Sequence, residues 1–245
     1  MRKFILTVAA LVAVCGTCLA QGERLFKDAE PYFTKQEMPD MTKWLPAPPE
    51  PNSTAFMYDL SQHLSAKALR ETNKERAALA VRQALIEPED MCAEFSLVFG
   101  TTISKEATPA TFRLIRNMME TIYYITKPAK DAYQRTRPYC FFNEPTLMPE
   151  HEEWLRTSGS YPSGHTAIGH GVALVLMELN PAAANEIMKV GYQYGESRVI
   201  TGYHWQSDVD AGRFAAGVAV AKMHTSPEFQ AQYKAAAKEL RSKLK

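Results

Sequence analysis

Between Thr108 and Ile125 the apolar side chains fall at Phe112, Leu114, Ile115, Met118, Met119, Ile122 and Ile125. Those steps of three and four lay one stripe along a helix of 3.6 residues per turn. A stripe of that width must be buried against something. The rest of the chain offers only more helices to bury it. Asp59–Leu85 is rich in Leu, Ala, Lys, Arg, Glu and Gln, which lose little on entering a helix. Glu87-Pro88-Glu89 interrupts that run, and Asp90 is placed to cap a helix carrying Met91, Phe95, Leu97 and Val98. Ser163 opens another with Ile168, Val172, Leu174, Val175 and Leu176, closed by Asn180-Pro181. Further helical stretches follow over 181–199, 208–224 and 227–245, the last charged and amphipathic. No run alternates with the period of a strand, and no segment repeats. The pattern predicts an all-α, single-domain helical bundle core.

Prolines punctuate it. Pro128 predicts a break or kink in the helix that starts at Pro109. Trp44-Leu45-Pro46-Ala47-Pro48-Pro49-Glu50-Pro51 predicts an extended arm over 21–52, lying on the body through Trp44, Leu45 and Phe56. Residues 138–160 read as a long loop rich in Pro, Glu and Asn.

The N-terminus is of another kind. Met1-Arg2-Lys3 is basic, Phe4–Leu19 is almost unbroken apolar sequence, and Cys18-Leu19-Ala20 presents small residues before Gln21. That is the form of a signal peptide over 1–20, with 21–245 as the mature domain in the periplasm. Its apolar run is short for a membrane span, which needs ~20 residues, and no later segment is longer. Cleavage removes Arg2 and Lys3 from 28 basic residues and leaves 27 acidic ones, a net charge near −1. Such a chain is no polyelectrolyte binder, so neither nucleic acid nor membrane is expected as a partner. Of the four cysteines, Cys92 and Cys140 survive cleavage. Export would allow them to pair, and two separate thiols fit the sequence equally well.

Three segments concentrate polar residues of catalytic type. They are Lys130-Asp-Ala-Tyr-Gln-Arg-Thr-Arg137-Pro138, Gly159-Ser-Tyr-Pro162-Ser163-Gly164-His165-Thr166, and Ser197-Arg198 through Tyr203-His204-Trp205 to Asp208. Singly each reads as a solvated helix face, a turn or a surface pair. Jointly they suit phosphoryl transfer. A phosphate dianion needs fixed cations, which Lys130, Arg137 and Arg198 supply. The helix N-terminus at Ser163 and Gly164 offers free N–H groups and close backbone approach. If residues 204–208 are helical, His204 and Asp208 stand one turn apart on one face, and a carboxylate holding Nδ1–H frees Nε2 as a nucleophile. His165, beside the anion seat, can protonate the leaving oxygen. No metal and no cofactor is required, since fixed cations take up the charge of the transferring group. His63, His151, His170 and His224 lack ligand-like spacing and read as core or surface histidines. Tyr203 and Trp205 flank the nucleophile and read equally as core or as a surface for the substrate's organic part.

In order and spacing the three blocks resemble the signature of the type 2 phosphatidic acid phosphatase superfamily, Lys-x6-Arg-Pro, Pro-Ser-Gly-His and Ser-Arg-x5-His-x3-Asp. Every specified position is matched, by Lys130, Arg137, Pro138, Pro162, Ser163, Gly164, His165, Ser197, Arg198, His204 and Asp208. The flanks 159–166 and 202–210 resemble the bacterial class A non-specific acid phosphatases, as do the 45–49 arm and the chain length. The resemblance implies His204 as nucleophile, Asp208 as its orienter, His165 as acid, and Lys130, Arg137, Ser163, Gly164 and Arg198 as phosphate ligands. It implies broad hydrolysis of small phosphate monoesters, with transfer to alcohols as a side activity, and it suggests a homo-oligomer. Three rivals share part of the pattern. Vanadate-dependent haloperoxidases share the site but have longer chains. Integral lipid phosphatases set the blocks among membrane spans. A non-enzymatic exported phosphate-binding protein would not need two histidines and the His-Asp spacing.

Overall fold

A computed structural model describes residues 24–244. The signal-peptide segment over 1–20 lies outside the described residues. Among the described residues ten α-helices follow one another: α1 Thr54–Thr72, α2 Lys74–Arg82, α3 Pro88–Phe99, α4 Pro109–Tyr133, α5 Pro138–Phe142, α6 Glu152–Arg156, α7 Gly164–Leu179, α8 Ala184–Thr201, α9 Gln206–Met223 and α10 Pro227–Leu240. Among the described residues there is no strand, so the fold is all-α. No helix among them is long and apolar enough to cross a membrane.

The stripe of α4 is buried as its spacing requires, with Leu114, Met118, Met119, Ile122 and Ile125 all without exposure. It faces Ile168, Val172 and Leu176 of α7, Ala215 and Ala219 of α9, and Phe229 and Ala236 of α10 in one continuous core. α7 is the central helix, in contact with α4, α8, α9 and α10. The chain before α1 is largely irregular, with short 3₁₀ turns, and it lies on this body. It is held there by Phe26 and Met41 in the core, by Phe26 N–H donating to Glu120, and by the Tyr161 hydroxyl donating to the Pro46 carbonyl. Trp44, expected as a handle, is exposed, while Phe56 is buried as expected.

The structure corrects several sequence-based expectations. Of the break or kink expected at Pro128 the break is absent, and α4 runs as one helix to Tyr133. A proline inside a helix costs ~3 kcal/mol through its missing N–H and its clash with the preceding turn. Ile122 and Ile125 alone return ~3–6 kcal/mol at ~1.5–3 each when fully buried. The Thr126 hydroxyl donates to the Tyr123 carbonyl in the turn that the proline disturbs. Continuity carries Lys130 to the site, and the helix ends only where Gln134 adopts a left-handed φ of 42°. The expected single helix over 59–85 is two, divided at Asn73, whose side chain caps α2 at Arg76 N–H. α3 begins at Pro88, with Glu87 rather than Asp90 before it. The loop over 138–160 contains α5 and α6. Cys92 and Cys140 are both free, Cys92 in the main core and Cys140 against the separate cluster of Ala84, Tyr139, Met148, Leu155 and Tyr203.

Candidate active site

The three polar blocks converge at one end of the bundle. The C-terminal turn of α4 carries Lys130, and Arg137 precedes α5. The N-terminus of α7 presents Gly164 and His165. The last turn of α8 carries Arg198, and the α8–α9 junction carries His204. These six side chains or backbone positions line one cavity of about 70 Å³.

His204 is 2% exposed and held on both sides. Nδ1 lies 3.2 Å from Asp208 Oδ2, and Nε2 lies 3.2 Å from Arg137 Nη1. A carboxylate only accepts and a guanidinium only donates, so the proton sits on Nδ1 and the lone pair on Nε2. The pairing does not come from a shared helix face. His204 precedes the helix, whose N-cap is Trp205, and Asp208 occupies the third helical position. There Asp208 Oδ2 also accepts from Trp205 N–H at 2.9 Å. A helix-capping carboxylate thus orients the ring. Burial first, then Arg137, Lys130 and Arg198, hold the imidazole well below the ordinary histidine range, so it stays neutral.

The cations are buried with their charge opposed. Arg198 is 1% exposed and is pushed down to about 9 by burial, which leaves it charged at neutral and acidic pH. Its guanidinium lies 4.7 Å from the Tyr203 ring centroid, and its Nε and Nη1 have no partner among the described residues. Buried donors on a cation are satisfied best by an anion, which also answers the charge. Burial, then Arg137, likewise lowers Lys130 well below its usual value. Lys130 Nζ donates to the Gly159 carbonyl at 2.9 Å. Arg137 Nε donates to the Leu155 and Ser158 carbonyls, both at 3.0 Å, which aims its Nη groups inward. Gly159 is obligatory there, because a Cβ would stand 2.6 Å from the Lys130 carbonyl oxygen.

Ser163 caps α7, its Oγ accepting from Thr166 N–H at 3.3 Å and from the Thr166 hydroxyl at 2.9 Å. Its own hydroxyl proton remains for another acceptor. Gly164 has an ordinary helical conformation, and a Cβ there would meet nothing nearer than 3.8 Å. Its missing side chain leaves space in the cavity above the helix N-terminus rather than serving the backbone. His165 Nε2 lies 3.0 Å from the Ala84 carbonyl, which can only accept. Nε2 therefore carries a proton, and Nδ1 is the nitrogen left for chemistry. Burial and Arg198 push His165 well below its usual range, and the Ala84 carbonyl opposes them.

The residues matching the catalytic blocks therefore share one site, six on the cavity wall and Ser163 and Asp208 directly behind it. The chain matches the PAP2 superfamily over residues 114–230. It is 42% identical to a non-specific acid phosphatase of Providencia stuartii, over 87% of this chain and 86% of that protein. It is 40% identical to one of Salmonella typhimurium, over 87% and 85%. An acid phosphatase of Zymomonas mobilis is 31% identical over 97% and 90%. The chain belongs to the non-specific acid phosphatases of the PAP2 superfamily.

Two functional residues of this acid phosphatase escape sequence reasoning. Arg135 Nη1 donates to Asp208 Oδ1 at 2.6 Å, and its Nη2 donates to Asp59 Oδ2 at 2.7 Å. Asp59, on α1, is fully buried and also accepts from Ser207 N–H at 2.8 Å and the Ser207 hydroxyl at 2.7 Å. Asp59, Arg135, Asp208 and His204 thus form one buried chain of alternating partners. Arg135 sits in view inside the Lys-x6-Arg block. Asp59 gives no signal beyond one acid in an amphipathic helix. Tyr203 and Trp205 prove to be core. The Tyr203 hydroxyl donates to the Met148 carbonyl, and Trp205 packs on Phe56 at a centroid distance of 4.9 Å. His63, also in the core, stacks on Phe142 at 4.7 Å. No group of three or more His, Cys, Asp and Glu side chains that could hold a metal occurs among the described residues.

Proposed function

We propose that this phosphatase hydrolyses phosphate monoesters through a phosphohistidine on His204, without a metal. The observation that carries the reading is the His204 ring fixed between Asp208 and Arg137, with its Nε2 lone pair turned toward a guanidinium that lines the same cavity. The phosphate sits at the α7 N-terminus among Lys130, Arg137 and Arg198, with donors from Ser163 and the Gly164 backbone. His204 Nε2 attacks phosphorus, and the P–O ester bond breaks with its electron pair leaving on the ester oxygen. With the phosphate dianion bound and offsetting Arg198 and Lys130, the His165 ring takes up a second proton on Nδ1, and that Nδ1–H supplies the proton the leaving oxygen needs. Asp208 stabilises the imidazolium character that develops on His204. In the second half His165 takes a proton from water, whose oxygen attacks the phosphohistidine to release phosphate. An alcohol in place of water gives phosphotransfer. The cations, fixed in place before the reaction, stabilise the charge on the equatorial oxygens. The substrates are small exported-compartment phosphate esters. Residues 1–20 act as the export signal and the enzyme works in the periplasm.

The test is a rapid acid-free quench of enzyme mixed with a ³²P-labelled ester in the presence of a chelator. Label bound to protein, stable to alkali and labile to acid, is expected in the wild type and absent from His204→Ala. No labelled protein, or activity that the chelator removes and zinc or magnesium restores, overturns the mechanism.

A further inference from the structure

Beyond the phosphate, something must receive the organic part of the ester. Tyr203 and Trp205, adjacent to the nucleophile in sequence, are committed to the core and cannot. The cavity is finished by a different set: Leu25 from the N-terminal arm, Ile86, Tyr123, Leu155, Ile168 and Trp154. Of these, Trp154 is 58% exposed and Leu25 37% exposed, so the wall opens to solvent at an indole face. What sets Trp154 apart from the other exposed apolar side chains is its place on the wall of the cavity that holds His204 and Arg198.

Its mount is rigid. α6, which carries Trp154, is tied on three sides. The Tyr139 hydroxyl donates to the Glu152 carbonyl at 2.8 Å, and Thr146 N–H donates to Glu152 Oε1 at 2.7 Å. The Leu155 carbonyl accepts from Arg137 Nε at 3.0 Å, so the residue next to the indole is held by a phosphate-binding guanidinium. The backbone that carries the ring is therefore tied to a guanidinium of the phosphate seat. The collar is also poor in partners for hydroxyl groups. Outside the phosphate-facing residues its polar members are Ser158 and Tyr123, and the Ser158 carbonyl is occupied by Arg137. Such a collar rewards contact area more than hydroxyl groups, and a flat ring brings the most contact area.

We propose that Trp154 is the specificity-determining residue of this site, an aromatic plate that selects phosphate monoesters whose organic part is a planar aromatic ring. The ring is carried directly on the ester oxygen, as in an aryl phosphate, or one sugar away, as in a nucleoside monophosphate. This rests on the phosphatase reading above. Stacking on an exposed aromatic side chain is worth roughly five- to tenfold in kcat/KM.

The test measures kcat/KM of wild type, Trp154→Ala and Trp154→Tyr on phenyl phosphate, adenosine 5′-monophosphate and glycerol 1-phosphate. In Trp154→Ala the aromatic esters should lose about tenfold relative to glycerol phosphate, chiefly through KM, and Trp154→Tyr should keep most of the selectivity. A loss confined to one aromatic ester supports the plate and fixes its distance from phosphorus. Equal change for all three esters, or no change in any ratio, overturns it. Failure of the underlying phosphatase reading would show separately, as no phosphate release by the wild type from any of the three. Inhibition by inorganic phosphate, followed in each variant, reports whether the seat itself is intact.

Discussion

Arg135→Lys isolates the work of the buried chain behind His204. The guanidinium spans two carboxylates with two different nitrogens, Nη1 to Asp208 at 2.6 Å and Nη2 to Asp59 at 2.7 Å. Lysine keeps the positive charge but offers a single nitrogen, so it can serve one carboxylate well and not both. Deleting the charge would be a poor experiment. It would leave two buried acids unpaired at a cost of ~3–5 kcal/mol and confound activity with unfolding. Lysine instead removes one charge-assisted hydrogen bond, worth ~1.5–3 kcal/mol. If Asp208 is then free to tilt the imidazole off the line of attack, that energy is missing from the transition state. At 1.36 kcal/mol per tenfold, kcat should fall about 10- to 150-fold. KM should hardly move, since Arg135 does not line the phosphate cavity. The assay is steady-state hydrolysis of p-nitrophenyl phosphate, with the thermal midpoint as a control for folding. A double-mutant cycle with Asp208→Asn completes it. Once Asp208 can no longer hold the ring as a carboxylate, the Arg135 substitution should cost much less. Additive losses in the cycle, or a loss appearing in KM, would refute the idea that Arg135 acts through Asp208.

Other outcomes follow from the same geometry. His165→Ala should slow alkyl phosphates far more than aryl phosphates, because only the poorer leaving group needs the proton; equal losses for both would remove His165 as the acid. Arg198→Lys should lower kcat/KM by about tenfold or more, since a point charge cannot replace the unpartnered Nε and Nη1 pair aimed at the anion; a near-normal variant would place the phosphate elsewhere. The pH profile should be bell-shaped. His204 is held below the usual histidine value near 6.5, so its attacking neutral form persists well into acid and the acid limb lies below that value. His165 is lowered too, so the basic limb of kcat/KM falls early, and a bound dianion, by offsetting Arg198 and Lys130, should move the basic limb of kcat to higher pH. A kcat/KM that rises steadily from about pH 5 to 9 would show that no protonated histidine is needed.

How much of this is legible in the sequence depends on whether a residue's role is local or tertiary. The helices of the core follow from apolar periodicity, and α4 and α7 lie where their stripes place them. Helix ends depart from expectation where packing overrides a local signal, as at Pro128, or where one side chain makes the break, as at Asn73. The catalytic blocks are legible because each is a contiguous cluster whose residue types have little reason to sit together in a core. The site's orientation is not legible. Helical spacing suggests the right partners for the wrong reason, since Asp208 reaches His204 from a capping position rather than along a helix face.

The same distinction explains why Arg135 and Asp59 escape. Lys130 and Arg137 both line the cavity proposed for the phosphate, and a shared ligand would fix their spacing, which is readable as a pattern. Arg135 lies between them and points the other way, into a pocket of acids contributed by α1 and α9. Nothing in its neighbours reveals that, because its meaning is carried by Asp59, 76 residues away. Yet the arrangement has a physical logic. Three cations that face a cavity repel one another and lower the affinity of the imidazole between them for protons. Asp208 alone would act against this and favour a charged, non-nucleophilic ring. Arg135 draws on the other oxygen of that carboxylate, and Asp59 in turn holds Arg135. The nucleophile can then be oriented by Asp208 without being held in its protonated form. A carboxylate that must steer a histidine but leave it neutral needs a counter-cation of its own, and the α4–α5 junction, already carrying two cations for the phosphate, supplies it from the opposite face.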